Sequence, residues 1–521
     1  MKIEKVAEKF NLPKSDLTCY GNYMAKLENK SGKSHGKLVL VTAMTSNKFG
    51  VGKTTMSIGL GDAMNSLGHK TILALREPSM GPVFGVKGGA TGGGKSSLFP
   101  SDEINLHFTG DFHAVAQANN LLASVIDNHI YFGNELQIDT NKIYFKRCLD
   151  INDRSLRELS YSIKGQEIKT GFNITAASEV MAILCLSKDE KDLKKNLGNI
   201  LVAQDVNGNP IFAKDLKVED SMSVLLKDAF KPNAVQTLEG NLALVHLGPF
   251  ANIAHGCNSV VATKYALSHA DFCVTEAGFG SDLGAEKFLD IKTRVLGKIP
   301  DAVVLVVAVN VIKEQGSFEA GLENVARHIK NLKDTFGTNL VVAVNKRKED
   351  TKEEIERVLD LCKELGAEVS VCEAFTRGGK GCIDLAQKVV NATSKKAQLN
   401  YTYALADDVE TKIEKVAKNI YGATSVSYTK LAEEKIAYFE KLGLKNFFIN
   451  IAKTQFSFTD DKDKLGAPKD FVFKISDIEI RSGAKMVVAI AGNMLLMPGL
   501  AKKSNYLNIK LAAHDKILGI F

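Results

Sequence analysis

A chain of 521 residues exceeds one ordinary hydrophobic core, so two or three domains in one body are expected. Hydrophobic residues make up 45% and charged residues 24%, a soluble globular balance that excludes a disordered or fibrous chain. The net charge of +7, from 67 basic and 60 acidic residues, is mild. The charge-dense stretches 188–195 and 346–352 alternate in sign as solvated helix faces do, which argues against a nucleic-acid partner and fits small polyanionic substrates.

Met1 to Val6 lacks the apolar stretch of a secretion signal. Eight scattered cysteines with no C-x-x-C pair are expected to be reduced, structural thiols in a cytoplasmic protein. Leu38 to Ala43 is a β-branched apolar run that predicts a strand, and a glycine-containing turn follows it. Residues 54–67, with apolar positions at Met56, Ile58, Leu60, Met64 and Leu67, predict a helix stopped by Gly68. A second strand is expected over 70–75, and others over 243–247, 272–275, 302–309 and 340–344. The longest apolar run, 303–312, contains Asn310, reads as a buried parallel strand and is too short to cross a membrane. Helical patterns cover 321–335 and 351–365. Strands alternating with helices predict an α/β fold, and the lack of polar alternation in 303–309 and 341–344 puts helices on both faces of a mostly parallel sheet. Beyond about residue 395 the texture changes. A polar junction at 394–396, a helix over 406–421 and a strand-like, turn-rich end from Phe471 suggest a separate C-terminal unit. The expected division is 1–335, 336–395 and 396–521.

Between the first strand and helix lies Asn47-Lys48-Phe49-Gly50-Val51-Gly52-Lys53-Thr54-Thr55. Glycines such as Gly50 and Gly52 let backbone amides close around phosphate oxygens, and the helix directs its positive end at them. Lys53 reaches toward terminal phosphates, the Thr54 hydroxyl can ligate Mg²⁺, and Thr55 stands beside it. Asn47 occupies the place of the first glycine in the pattern G-x-x-x-x-G-K-[ST]. The strand–loop–helix context favours nucleotide binding over a glycine-rich turn with a surface lysine. The expected architecture is therefore P-loop NTPase-like, with smaller α/β subdomains beside it.

Further segments, in order, are Arg76-Glu77-Pro78-Ser79-Met80-Gly81-Pro82, Gly85-Val86-Lys87-Gly88-Gly89-Ala90, residues 102–111 (DEINLHFTGD), residues 248–259 (GPFANIAHGCNS), residues 275–288 (TEAGFGSDLGAEKF), Lys453 to Phe458 and Met497-Pro498-Gly499-Leu500. Read alone, Arg76-Glu77 suits a surface ion pair, while His107, Asp111 and His113 suit structural hydrogen bonding better than zinc. Together the segments resemble the formate–tetrahydrofolate ligases nearly end to end. That resemblance implies an ATP-dependent ligation of formate to tetrahydrofolate through formyl phosphate. It implies ATP with Mg²⁺, tetrahydrofolate as substrate, activation by a monovalent cation and a homotetramer. It assigns Lys53, Arg76, Glu77 and Asp111 to catalysis, with Arg76 offering a planar fork to a carboxylate or acyl phosphate and Glu77 bonding the pterin. It puts Phe279 near the site, Arg347 and Phe375 in the folate clamp, and part of that clamp in 336–395.

The sequence departs from the family where the chemistry lies. The family's T-P-x-P-A-G-E-G-K-T-T loop has lost both prolines, and Val51 replaces its glutamate. Its K-x-H-G-G becomes Lys313-Glu314-Gln315-Gly316-Ser317. The aromatic of its N-x-F becomes Arg347, whose guanidinium can still lie flat on a ring, and Phe375 stands for a tryptophan. The alternatives are a paralogue with another carboxylate or acceptor, a P-loop ATPase that drives a partner, and an inactive nucleotide-binding regulator.

Overall fold

Seven aliphatic runs lie side by side as parallel strands in the computed structural model, which describes every residue except Asn29, Ser31, Phe49, Leu444, Lys445 and Phe521. They are β1 (Lys37–Ala43), β2 (Thr71–Leu75), β3 (Leu242–Val245), β4 (Phe272–Glu276), β5 (Ala302–Val307), β6 (Leu340–Asn345) and β7 (Glu368–Cys372). Their order is β3-β2-β4-β1-β5-β6-β7, every neighbouring pair parallel. Antiparallel strands extend the β3 edge to make a twelve-stranded sheet. Nearly every residue of β1 to β6 is buried, so both faces are covered, as the unbroken apolar runs require.

Helix α1 (Lys53–Ser66) follows β1 and packs against β2 and β4. Helix α2 (Asp111–Tyr131) lies beyond it in the chain, and α3 (Phe318–Lys330) and α4 (Lys352–Glu364) flank β5 to β7. Two expected elements differ from the pattern. β5 stops at Val307 because the Ala308 carbonyl accepts from Val311 and Ile312 amides, turning 309–313 into a helix. The expected helical face over 346–352 is instead a loop. The Asp350 carboxylate accepts from the Arg347 amide, and helix α4 starts only after Thr351, whose side chain and that of Glu354 cap each other's amides.

Residues 340–372 supply β6 and β7 to the same sheet as residues 37–307. The C-terminal region has its own sheet, ordered Ser425–Tyr428, Val472–Arg481, Met486–Ala491, Phe448–Ala452, so it begins well before Phe471. A buried ion pair, Lys453 Nζ to Asp282 at 2.6 Å, joins that region to the segment after β4. All eight cysteines are free thiols, seven of them buried, and the Cys257 thiol bonds only to the His255 carbonyl in the core.

Candidate active site

Ligands of open α/β sheets bind where strands end at their carboxyl edge, and here polar residues at or just after the ends of β1, β2, β4 and β6 converge. The loop after β1 turns through Gly50 and Gly52, with φ of +84° and +88°, values that glycine adopts freely. Phe49 lies outside the described residues. Gly52 precedes the first residue of α1, Lys53, so the helix aims its free amides and its lysine at one point. From the end of β6, the Asn345 amide donates to the Val51 carbonyl at 3.0 Å. A Cβ on Gly52 would stand 2.4 Å from that same amide nitrogen. The start of the loop rests on a buried histidine. The Thr45 amide donates to His328 Nε2 at 2.8 Å, which leaves the proton on Nδ1, 2.7 Å from Ser281 Oγ.

At the end of β4, the Glu276 carboxylate accepts from the Thr54 hydroxyl at 3.0 Å and stands 3.8 Å from the Arg76 guanidinium. Arg76, which follows β2, also donates to the Pro249 carbonyl at 3.3 Å, and its buried Nε has no partner. Gly278 makes room for the guanidinium, since a Cβ there would lie 2.7 Å from Nη1. Lys87, from the glycine-rich segment 85–94, places its Nζ 5.0 Å from the centre of the Phe279 ring. Three cations, Lys53, Arg76 and Lys87, thus share one nearby carboxylate. Burial pushes the Lys53 ammonium down to about 8, opposed by Glu276 and aided by Arg76. Burial, then Arg76 and Lys53, push Lys87 down to about 7. The cluster carries excess positive charge out of bulk water, a condition that a polyanion relieves.

Arg76 and Glu77 do not form the surface pair their adjacency suggests. Glu77 is 4% exposed, and its Oε2 is buried with no partner. Burial and the charge of Asp111 raise its carboxyl well above the usual range. Asp111 opens α2, is itself buried, pairs with Lys26 at 2.5 Å and accepts from the Asn233 amide at 2.7 Å. His255 is buried close to Arg76, has no partner on either ring nitrogen among the described residues, and is pushed down to about 3 by burial and the surrounding cations.

The glycine loop opens onto a cleft of about 880 Å³. Gly50, Gly52 and Thr55 line one side, Lys87 and Gly93 another, and Arg347 and Phe375 the wall formed after β6 and β7. Phe375 is 59% exposed; a Cβ on Gly93 would meet its ring at 3.1 Å, so one part of the ring rests on backbone and the rest faces the cleft. Among the described residues the Arg347 guanidinium has no hydrogen-bond or ion-pair partner. Lys53, Thr54, Arg76, Glu77, Asp111 and Phe279 are not among the residues that line this cleft; Glu77 and Asp111 are buried and the other four half-buried.

Over residues 1–521 the chain matches the family model described as formate–tetrahydrofolate ligase. The chain belongs to the formate–tetrahydrofolate ligase family. It is 51% identical over 535 residues to the formate–tetrahydrofolate ligase of Campylobacter concisus (strain 13826), covering 99% of this chain and 97% of that protein. To the formate–tetrahydrofolate ligase of Campylobacter curvus (strain 525.92) it is 50% identical over 526 residues, covering 98% and 95%. As a member of this family the chain is a ligase enzyme. Sequence reasoning gave no role to four residues of this candidate site. Glu276 and Asn345 each end an apolar strand with a polar side chain, and Lys87 interrupts a glycine run; each was a legible signal. His328 sits inside a helical pattern and carried none.

Proposed function

We infer that this ligase couples formate to tetrahydrofolate at the expense of ATP, by way of formyl phosphate. The observation that carries the inference is the gathering of Lys53, Arg76 and Lys87 around the single carboxylate Glu276, beside a glycine loop and under an open cleft. Formate is a poor electrophile because its charge repels nucleophiles. In the first step a formate oxygen attacks the γ-phosphorus of ATP, and the bond to ADP breaks with its electron pair leaving on ADP. In the second, the N10 amine of tetrahydrofolate attacks the formyl carbon, phosphate departs with the C–O electron pair, and the amine proton passes to solvent. Lys53 and Lys87 neutralise the moving phosphoryl group, and Arg76 holds formate and then the acyl phosphate through its planar fork.

Gly50, Gly52 and Thr55 belong to the nucleotide's cradle, which gives the loop its P-loop NTPase-like character. The Thr54 hydroxyl and the Glu276 carboxylate, 3.0 Å apart, suit the one or two protein ligands that Mg²⁺ takes when phosphates and water supply the others. Mg²⁺ would add charge neutralisation there. Glu77, whose carboxyl is pushed up by burial and by the charge of Asp111, offers the pterin a hydrogen-bonding partner, and Asp111 with Lys26 stands beside it. Phe279, Arg347 and Phe375 form the pterin's surroundings. A homotetramer, activation by a monovalent cation and a cytoplasmic location complete the reading on family resemblance alone; sedimentation and a potassium titration test the first two.

The deciding experiment measures ADP release with formate, with and without tetrahydrofolate, in wild type and Lys53→Ala. Lys53→Ala should lose about 10²–10³ in rate with its circular dichroism unchanged, because a fixed donor to transition-state charge is worth that much. Activity within tenfold of wild type would reject this loop as the ATP site.

A further inference from the structure

The last turns of the chain lie across the glycine-rich segment that carries Lys87. Asn505 donates from its side-chain amide to the Val83 and Gly519 carbonyls, both at 3.0 Å, and from its backbone to the Gly85 carbonyl at 2.5 Å. Gly89 donates to the Ile520 carbonyl at 2.8 Å, and a Cβ on Gly88 would stand 3.3 Å from that same oxygen. These contacts join parts of the chain 422 residues apart. The hairpin of Lys510–Leu511 and Ile517–Leu518 is no core element: Leu511 is 74% exposed and Leu518 42%. Its contact with the segment is made through backbone and amide groups.

Segment 85–94 holds six glycines and would be the least ordered stretch of the site if left untied. Its far end is fixed elsewhere, by Asn105 to Ala90 at 2.9 Å and by the Phe375 carbonyl to Lys95 at 2.8 Å. Among the described residues, the hydrogen bonds of the end that bears Lys87, residues 85–89, go only to the C-terminal segment and to the Pro82 carbonyl. We propose that Asn505 is a positioning residue of the ligase reaction, tying the C-terminal hairpin to the glycine-rich segment and so fixing the Lys87 ammonium at the phosphate side of the site. Fixing it before substrate arrives removes an ordering cost that ATP binding would otherwise bear. The proposal rests on the reading of Lys87 as a phosphate ligand.

The test uses full-length Asn505→Ala, with Asn505→Asp as a second variant that keeps the side chain's size and loses both N–H donors. Amide exchange at Gly88 and Gly89 should accelerate while exchange in the parallel sheet stays unchanged. The KM for ATP should rise about tenfold and kcat fall, since small misplacement of a charged group costs rate steeply, with the KM for tetrahydrofolate within twofold. Unchanged exchange in a folded variant overturns the tether. Faster exchange with wild-type kinetics overturns the role given to Lys87 while leaving the Lys53→Ala result to judge the ATP site by itself. Equal loss for all three substrates, with early melting in both variants, would assign Asn505 to folding instead.

Discussion

Two lysines of the site carry ammonium groups pushed down to about 8 and about 7 because burial and neighbouring cations disfavour their charge. A lysine loses its charge as pH rises, so between about pH 7 and 8 the empty site gives up part of the charge that attracts phosphate. ATP should restore it, and binding at pH 8 should take up protons. Calorimetry in buffers of different ionisation enthalpy reads that uptake, and none at pH 8 would contradict the cluster as drawn. Lys87→Met should abolish the part that titrates nearest pH 7. On the side proposed for folate, Phe375 offers the open ring face; stacking is worth roughly 0.5–1.5 kcal/mol beyond buried area, so Phe375→Ala should weaken tetrahydrofolate binding by well over tenfold. Arg347→Phe, which restores an aromatic at an unpaired position, should be tolerated. Tight folate binding left untouched by Phe375→Ala would remove Phe375 from the pterin site. At this scale residue type drew attention to Lys53, Arg76 and Phe375, and the fold brings the first two beside Glu276 and the third to the wall of the cleft. The sequence was illegible where burial creates the property: nothing in the letters Arg76-Glu77 says that one faces Glu276 and the other is buried with its carboxyl pushed up.

The elements that deliver these groups are a strand, a tight loop and a helix, and the loop depends on one glycine. Gly52 has φ of +88°, and any side chain there would strike the Asn345 amide. Gly52→Ala should therefore weaken ATP binding by more than the strain of about 1 kcal/mol that a left-handed alanine carries, because the clash displaces Asn345 from Val51. Adding Asn345→Ala should recover only the steric part. Full recovery in the double variant, by nucleotide titration, would show that backbone conformation plays no part. Parallel strands such as β1, β5 and β6 were readable from their apolar runs because both faces are buried. Their ends were less so. β5 gives way to a helix within an unbroken apolar run, since the switch is set by carbonyls at Ala308 rather than by hydropathy. The loop at 346–352, alternating in charge like a helix face, is cut short by the cap at Thr351.

Across the whole molecule, burial of ionisable groups ties stability to pH. His328, under the phosphate loop, is pushed down to about 4 by burial. Below its ordinary value of 6.5 the unfolded chain takes up a proton that the folded chain refuses, so this histidine costs stability progressively as pH falls from about 6.5 to 4. Carboxyls such as Asp62 and Asp150, pushed up to about 6 by burial, act in the opposite sense over part of that range. The histidine's share is therefore read as the difference between wild type and His328→Gln. Urea midpoints at pH 7, 6 and 5 should show the wild type losing stability relative to the variant on acidification; parallel curves would refute it. The long-range ties that shape the molecule, Lys453 to Asp282 and Asn505 to Val83, were beyond sequence reading because they pair groups hundreds of residues apart without any local pattern.

Asn345 has a consequence that reaches beyond its own strand. Its amide holds the glycine loop at Val51, and two residues later the same backbone supplies Arg347 to the wall of the cleft proposed for folate. Whatever movement one ligand imposes on this short stretch, the other must feel. Thermodynamic reciprocity then fixes the bookkeeping: the factor by which ADP changes tetrahydrofolate affinity must equal the factor by which tetrahydrofolate changes ADP affinity. An order of substrate addition would in that case be a matter of kinetics, written by a single amide, rather than of two separate sites.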